Sequence, residues 1–600
     1  MTSKPKSTSN NLDTKVWSDA MQGFALRSQK LTETFLERQK QDDGFQVPDP
    51  AVIGKAYGEL WTKMMSDPGK LAEKQANLWQ AYADLWQQTA KRLAGEDVEP
   101  VVEPSADDRR FKDAGWTDET LFDFIKQSYL LTSNWMRSTV QDVDGLDEKT
   151  AEKVDFYTRQ FVDALSPSNF VATNPKVLRE TLETGGENLL GGMENLLGDL
   201  EKGKGKLKIS MTDTSAFKLG ENVAATPGKV VFQNDLMQLI QYAPSTEKVR
   251  KRPLLIVPPW INKFYVLDLQ PKNSFIKWAV DQGNTVFIIS WINPDESLSH
   301  KNFEDYMLEG PLAAIDAIEL ATGEKDVNIV GYCIGGTLTA CTLAYMAAKG
   351  DERIKSATFL TSMVDFSEPG ELGVFIDDEQ LDRLDDHMQR KGYLEGDHMM
   401  TVFNMMRDND LIWSFVVNNY LLGRRPLPFD LLYWNSDSTR MPEMMHSFYL
   451  RNMYLENKLA QPGGLTLGGV AIDVRRIKTP VYLLSTRDDH IAPWKSTYAA
   501  MGLYMGPRRF VLSASGHIAG VVNPPEKGKY CYWTNDKVAT DPEDWLANAQ
   551  RHDGSWWPDW DKWLSKHAGR KDRKARKPGD GSLEPIEDAP GSFVARRIDE

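Results

Sequence analysis

Cys333 stands between two glycines in the run N-I-V-G-Y-C-I-G-G-T (328–337), the spacing that an activated thiol requires. A β-rich apolar run ends at Val330, and a strong helical pattern continues to Ala348. Gly331-Tyr332-Cys333-Ile334-Gly335 therefore has the G-x-S-x-G form of a nucleophile elbow, with Cys in place of Ser. In such an elbow the nucleophile sits on a strained strand-to-helix turn, and neighbours without Cβ let strand and helix approach closely. The positive end of the following helix favours a thiolate. The backbone N–H of Ile334, next after the nucleophile, is placed to donate to an oxyanion. Buried cysteines are common as packing, but the strand-to-helix junction favours a nucleophile at 333. Cys341, inside the helix, reads as packing, and Cys531 falls in a late loop with no partner signal.

A thiol nucleophile needs a base, and the base needs an acid to orient it. Downstream, the strand at 481–484 runs into S-T-R-D-D-H-I-A-P-W, and the strand at 510–512 runs into S-A-S-G-H-I-A-G-V-V-N-P-P. Nucleophile, acid, then His is the chain order expected after a G-x-S-x-G elbow. His517 is the base candidate. His490 competes, but it directly follows the acid, and adjacent side chains rarely bridge to a common third group. Asp489 is preferred over Asp488 as the acid, with Asp365 a weaker option. Histidines 300, 387, 398, 446, 552 and 567 have no supporting context and read mostly as solvated. Three cysteines exclude a disulfide framework and multi-cysteine zinc modules. Without an H-E-x-x-H spacing a metal hydrolase is disfavoured, so neither metal nor cofactor is expected.

The elements that must position these residues form an alternating pattern. Short apolar runs at 230–232, 254–257, 285–290, 327–330, 357–360, 481–484 and 509–512 are separated by helical stretches such as 275–282 and 312–320. This predicts an α/β sheet covered on both faces. The alternation stops over 365–478, a helical, Met- and aromatic-rich insertion that is either a cap over the active site or a packing annex, its Met-rich surface favouring a cap that contacts something apolar. Before residue 206 the pattern is helical. Asp49-Pro50, Asp67-Pro68 and Asn174-Pro175 each mark a helix start, and the Trp residues of 71–93 share one face at helical spacing, as core or interface. The expected layout is a disordered tail at 1–15, a helical N-terminal domain at 16–205, a catalytic domain at 206–565 containing the 365–478 cap, and a flexible tail at 566–600.

At 600 residues the length alone allows about four domains; the motifs reduce that number. A net charge of −15 argues against broad nucleic-acid binding, and the basic cluster at 570–577 reads as a solvated tail. No apolar run reaches the roughly 18 residues of a membrane span. The start M-T-S-K-P-K-S-T-S-N-N lacks the apolar segment of a secretory signal, so a cytoplasmic location is expected.

The runs P-P-W-I-N-K-F-Y-V-L-D-L (258–269), S-W-I-N-P-D (290–295), G-Y-C-I-G-G (331–336), Y-W-N-S-D-S-T-R-M-P (433–442), D-D-H-I-A-P-W (488–494) and G-H-I-A-G-V-V-N-P-P (516–525) resemble those of the polyhydroxyalkanoate synthases. The similarity runs from about residue 50 to 565 and looks most like the class I enzymes. The resemblance implies an α/β-hydrolase-like core with a helical cap, preceded by an all-α domain. It also implies polymerisation of short-chain (R)-3-hydroxyacyl-CoA, a homodimer, and association with polymer granules. Cys333, Asp489 and His517 fall on the family's catalytic triad, and Trp434 on a tryptophan linked to dimerisation. Ile292 departs from the pattern, standing where Arg is frequent.

The chemistry accounts for a Cys in place of Ser. Attack by a thiolate on a thioester exchanges one thioester for another, so the acyl group stays activated. A second oxyanion donor is expected from the backbone near Trp260 or Ile261, with Ile261 preferred. The rival functions are a cysteine-dependent thioesterase or dienelactone-type hydrolase, and a non-enzymatic granule scaffold.

Overall fold

The computed structural model describes residues 22, 26–33 and 45–597; the expected tail at 1–15 lies outside them. The chain divides into two compact units, one of residues up to Asp213 together with Val402–Leu427, the other of Thr214–Thr401 and Pro428–Glu600. The expected insertion at 365–478 is thus shared out: its middle packs with the helical unit and its flanks with the sheet unit.

The helical unit contains α1 (Pro50–Met64), α2 (Pro68–Leu93), α3 (Thr120–Gln141), α4 (Glu148–Ala164), α5 (Pro175–Glu183) and α6 (Glu187–Lys202). Their starts follow the chemistry of the sequence. Asp49, Asp67 and Asn174 accept from first-turn N–H groups, each followed by a proline whose missing N–H costs nothing there. Trp116 of this unit is buried, but the tryptophans of α2, for which the sequence allows core or interface, lie outside the core. Leu85 is fully buried, whereas Trp61, Trp79 and Trp86 are 61%, 66% and 62% exposed. The returning segment 402–427 is bolted to α6. Asn188 Nδ2 donates to Leu421 O at 2.8 Å, Asn195 Nδ2 to Asn419 O at 2.9 Å, and the Tyr420 hydroxyl to Asp199 Oδ2 at 2.7 Å. Gly192 makes this approach possible, because a Cβ there would sit 1.8 Å from Tyr420 O.

The sheet unit is built in chain order from β1 (Gly228–Gln233), β2 (Met237–Tyr242), β3 (Leu254–Val257), α7 (Phe275–Asp281), β4 (Val286–Trp291), α8 (Ala313–Thr322), β5 (Val327–Tyr332), α9 (Ile334–Lys349) and β6 (Ile354–Leu360). The helices α10 (Asp378–Lys391), α11 (Gly396–Met406), α12 (Asp430–Asn435) and α13 (Glu443–Tyr449) follow. β7 (Val481–Thr486), β8 (Arg508–Ser513), β9 (Cys531–Thr534), β10 (Gln550–Asp553), α14 (Trp557–Ser565) and β11 (Glu587–Asp588) complete it. Eleven strands pair in the order β10-β9-β8-β7-β6-β5-β3-β4-β2-β1-β11. The six from β8 to β4 are parallel, and the flanking pairs are antiparallel.

Alternate residues of the central strands feed two cores. Leu255, Phe287 and Ile329 face α8 and α9, while Leu254, Ile288 and Val330 face α7 and the tryptophans of α14. Burial on both faces explains why these strands read as apolar runs. Met388, Met441, Met445 and Met453 of the insertion are fully buried in the first of these cores. They are packing, where the sequence suggested an adaptable apolar-contacting surface. The region after Lys566, expected to be a flexible tail, is also packed. β11 pairs with β1, Arg573 and Lys574 pair with Val249 and Lys248, and Phe593 and Val594 are buried. The basic cluster finds partners inside the unit: Arg576 Nη2 donates to Lys251 O and to Glu324 Oε1, each at 2.9 Å.

Candidate active site

All three residues singled out as nucleophile, base and acid lie just beyond the carboxyl ends of parallel strands of the central sheet, β5, β8 and β7, where α/β sheets place their sites. Cys333 follows β5 directly and caps α9, with φ 53° and ψ −126°. A non-glycine residue in that region is strained and persists only because its surroundings impose it. Its N–H donates to Leu360 O at 2.9 Å, and its carbonyl accepts from Gly336 N at 2.8 Å and Thr337 N at 3.2 Å. The turn is tight enough that a Cβ at Gly335 would meet Val257 O at 2.3 Å and Pro258 O at 2.6 Å. The elbow is therefore pressed against the loop leaving β3.

Asp489 follows β7 and His517 follows β8. His517 Nδ1 and Asp489 Oδ2 are 2.8 Å apart, and both side chains are buried. The same carboxylate accepts from Thr486 Oγ1 at 3.0 Å and from the N–H groups of Ile491 and Ala492, both at 2.9 Å. Burial alone would raise the Asp489 carboxyl; the facing imidazolium and these donors hold it below the ordinary carboxylate range instead. Burial would lower the His517 imidazole, but the charge of Asp489, then that of Cys333, and hydrogen bonds to both raise it to about 10. The imidazole is thus bonded to the acid and lies within electrostatic reach of the thiol.

Residues 107–279 match the family model described as "Poly-beta-hydroxybutyrate polymerase (PhaC) N-terminus", and residues 252–524 match the alpha/beta hydrolase fold. A poly(3-hydroxyalkanoate) polymerase subunit from Rhizobium meliloti (strain 1021) is 51% identical over 94% of this chain and 91% of its own length. The chain belongs to the poly(3-hydroxyalkanoate) polymerase family. A second relative, the poly(3-hydroxyalkanoate) polymerase of Methylorubrum extorquens, is 54% identical, covering 89% of this chain and 88% of that one. The corresponding subunit of Cupriavidus necator is 42% identical over 88% of each.

In this polymerase-family site the remaining candidates separate clearly. Ile334 opens α9, so its N–H has no acceptor within the helix. Ile261 lies in the loop from β3, the loop that touches Gly335. Asp365 is occupied elsewhere, accepting from Ser367 N at 3.0 Å and Asn457 Nδ2 at 2.8 Å. Asp489, and not Asp488, receives the imidazole.

Three tyrosines escaped sequence reasoning. The Tyr332 hydroxyl donates to His517 O at 3.2 Å and its ring stacks on the imidazole, with centroids 5.7 Å apart. The rings of Tyr449 and Tyr454 meet edge to face with centroids 5.5 Å apart, and their phenols are raised by burial and also by the Cys333 charge nearby. Their only sequence signal was membership of the aromatic-rich insertion. Two histidines expected in solvent, His387 and His446, are buried. His387, Glu395 and His398 are the possible metal ligands that gather within 4.8 Å among the described residues. His387 Nε2 lies 2.8 Å from Glu395 Oε2, and Lys391 pairs with the other oxygen, so the carboxylate is already matched within the protein. Trp434 is buried inside the unit, its indole donating to Lys263 O at 2.6 Å.

Proposed function

We propose that this chain polymerises short-chain (R)-3-hydroxyacyl-CoA into polyester, releasing CoA, through an acyl thioester on Cys333. The line Asp489–His517–Cys333 carries this reading, because it is an assembled nucleophile, base and acid on a polymerase-family chain. The proton shared by Cys333 and His517 stays on the imidazole as the sulfur attacks the substrate carbonyl. The tetrahedral oxyanion is received by the N–H groups of Ile334 and Ile261. The carbon–sulfur bond to CoA breaks, and the proton passes from His517 to the leaving thiolate. In the second half, His517 takes the proton of the 3-hydroxyl of an incoming or growing chain, whose oxygen attacks the Cys333 thioester. The new ester forms as the carbon–sulfur bond to Cys333 breaks, and the proton returns from His517 to the released sulfur. No metal or cofactor enters either half.

Exclusion of water distinguishes polymerisation from hydrolysis. The buried Tyr449 and the partly buried Tyr454, with the buried methionines of the same core, give the thiol an apolar surround that supports this. No helix among the described residues is long and apolar enough to cross a membrane. With the family's chemistry this supports a cytoplasmic enzyme working as a homodimer at the surface of its own insoluble product.

The test follows CoA release and turbidity with (R)-3-hydroxybutyryl-CoA. Wild type releases CoA as the solution clouds; free 3-hydroxy acid without turbidity would instead mean a hydrolase. Cys333→Ala releases no CoA above background, and retained turnover would sink the nucleophile assignment. His517→Gln blocks the reaction while His490→Gln largely spares it; the reverse would mean the base is misassigned.

A further inference from the structure

Lys263 is a buried ammonium two residues beyond Ile261. Its side chain is 3% exposed and pairs with Asp437, 2% exposed, at 2.8 Å. Nζ also donates to two backbone carbonyls of the last described segment, Val594 O at 2.7 Å and Arg596 O at 2.9 Å. Asp437 is matched on its other oxygen by the Tyr265 hydroxyl at 2.8 Å. A charge this deep is tolerated only where acceptors surround it, so the ammonium ties three separate stretches of chain to one point.

That point sits at the root of the loop from β3, and a second set of bonds holds the loop beyond it. Lys263 O accepts from the Trp434 indole at 2.6 Å. Asn262, with φ 61°, donates its N–H to Thr439 Oγ1 at 2.8 Å, and that hydroxyl donates to Trp260 O at 2.7 Å. Asn293 Oδ1 accepts from Arg440 N at 2.9 Å. Trp260, Asn262 and Lys263 are therefore each bonded to the 434–439 stretch, on either side of Ile261.

We propose that Lys263 is a positioning residue for the oxyanion donor, with Asp437 and the carbonyls of Val594 and Arg596 as the fixed points it pulls against. This rests on the reading of Ile261 N–H as that donor. An oxyanion donor acts only when preorganised, and misplacement by about 1 Å can cost about 100-fold in rate. The lysine touches neither substrate nor sulfur; it sets where the loop's N–H points.

The test compares two reactions of the same thiol in the full chain. Acyl transfer from (R)-3-hydroxybutyryl-CoA, read as the first burst of CoA, passes through an oxyanion, whereas alkylation of Cys333 by iodoacetamide does not. Lys263→Met should slow the burst at least about tenfold and leave the alkylation rate within about twofold, while Lys263→Arg recovers part of the burst. If Lys263→Met fails to fold, Asp437→Asn, which keeps an acceptor for Tyr265, is read by the same two rates. An unchanged burst, or both rates falling together, overturns the proposal. If alkylated wild type still releases CoA, it is the Cys333 reading itself that fails.

Discussion

His517 faces negative groups on two sides, Asp489 through Nδ1 and Cys333 on the other, and this sets its proton affinity more than its burial does. The imidazole is raised in the fold to about 10, against about 6.5 in an unfolded chain. A raised pKa contributes stability that is complete below the unfolded value and is lost as pH climbs through the folded one. Wild type should therefore exceed His517→Gln in thermal stability by most near pH 6, with the gap closing from about pH 6.5 to about pH 10. Thermal scans of both proteins across that range measure it, and a gap that widens with pH would contradict the assignment. Both triad partners of the thiol were legible in the sequence because each sits within five residues of a strand end and the chain order is constrained. Lys263 was equally visible in the P-P-W-I-N-K-F run, yet its partners come from residues 437, 594 and 596, and nothing local announces them.

The elbow is where one element's backbone must pass closest to another's. Gly335 opens α9 against the carbonyls of Val257 and Pro258, and rigid backbone, unlike a flexible side chain, cannot move aside for a methyl group. Gly335→Ala should leave a folded chain by circular dichroism but lower CoA release by about 100-fold, since relief requires shifting either the thiol or the loop from β3. Full activity in this variant would mean the close approach is not maintained in solution. Seven of the eleven strands were readable, because strands buried on both faces are apolar runs; β2, whose buried run is broken by Gln238 and Gln241, and β9, β10 and β11 were not read. The faces of helices were less readable. Periodicity groups Trp79 and Trp86 with Leu85's helix but does not say which side is covered, and the structure leaves both tryptophans outside. The methionines of the insertion were ambiguous for a related reason: they suit an adaptable surface and an irregular core equally well, and the structure buries Met441, Met445 and Met453 while leaving Met444 exposed.

At the scale of the molecule, one sheet carries the site and a single tryptophan cluster backs it. Trp556, Trp557 and Trp560 are buried against Phe275 of α7, and the Trp560 indole donates to Thr358 Oγ1 of β6 at 2.9 Å. Trp560→Ala should cost the sheet unit about 3–5 kcal/mol, measured as faster amide exchange in β6 and α9, with α2 and α3 of the helical unit unchanged. Equal loosening of both units would show that the two are not separate cooperative bodies. The family and its fold were legible from motifs alone. The fate of residues 566–597 was not, since a basic, proline-containing stretch looks solvated until its acceptors are known.

The edge of that sheet has a consequence in time. β11 closes β1 with residues 587 and 588, and the carbonyls that meet Lys263 come a few residues later still. Synthesis delivers the chain from its amino end, so the elbow, Asp489 and His517 all emerge from the ribosome before the segment that braces the loop beside them. The bonds that close on Lys263 can therefore form only once residues 594 and 596 have been made, later than the elbow, Asp489 and His517.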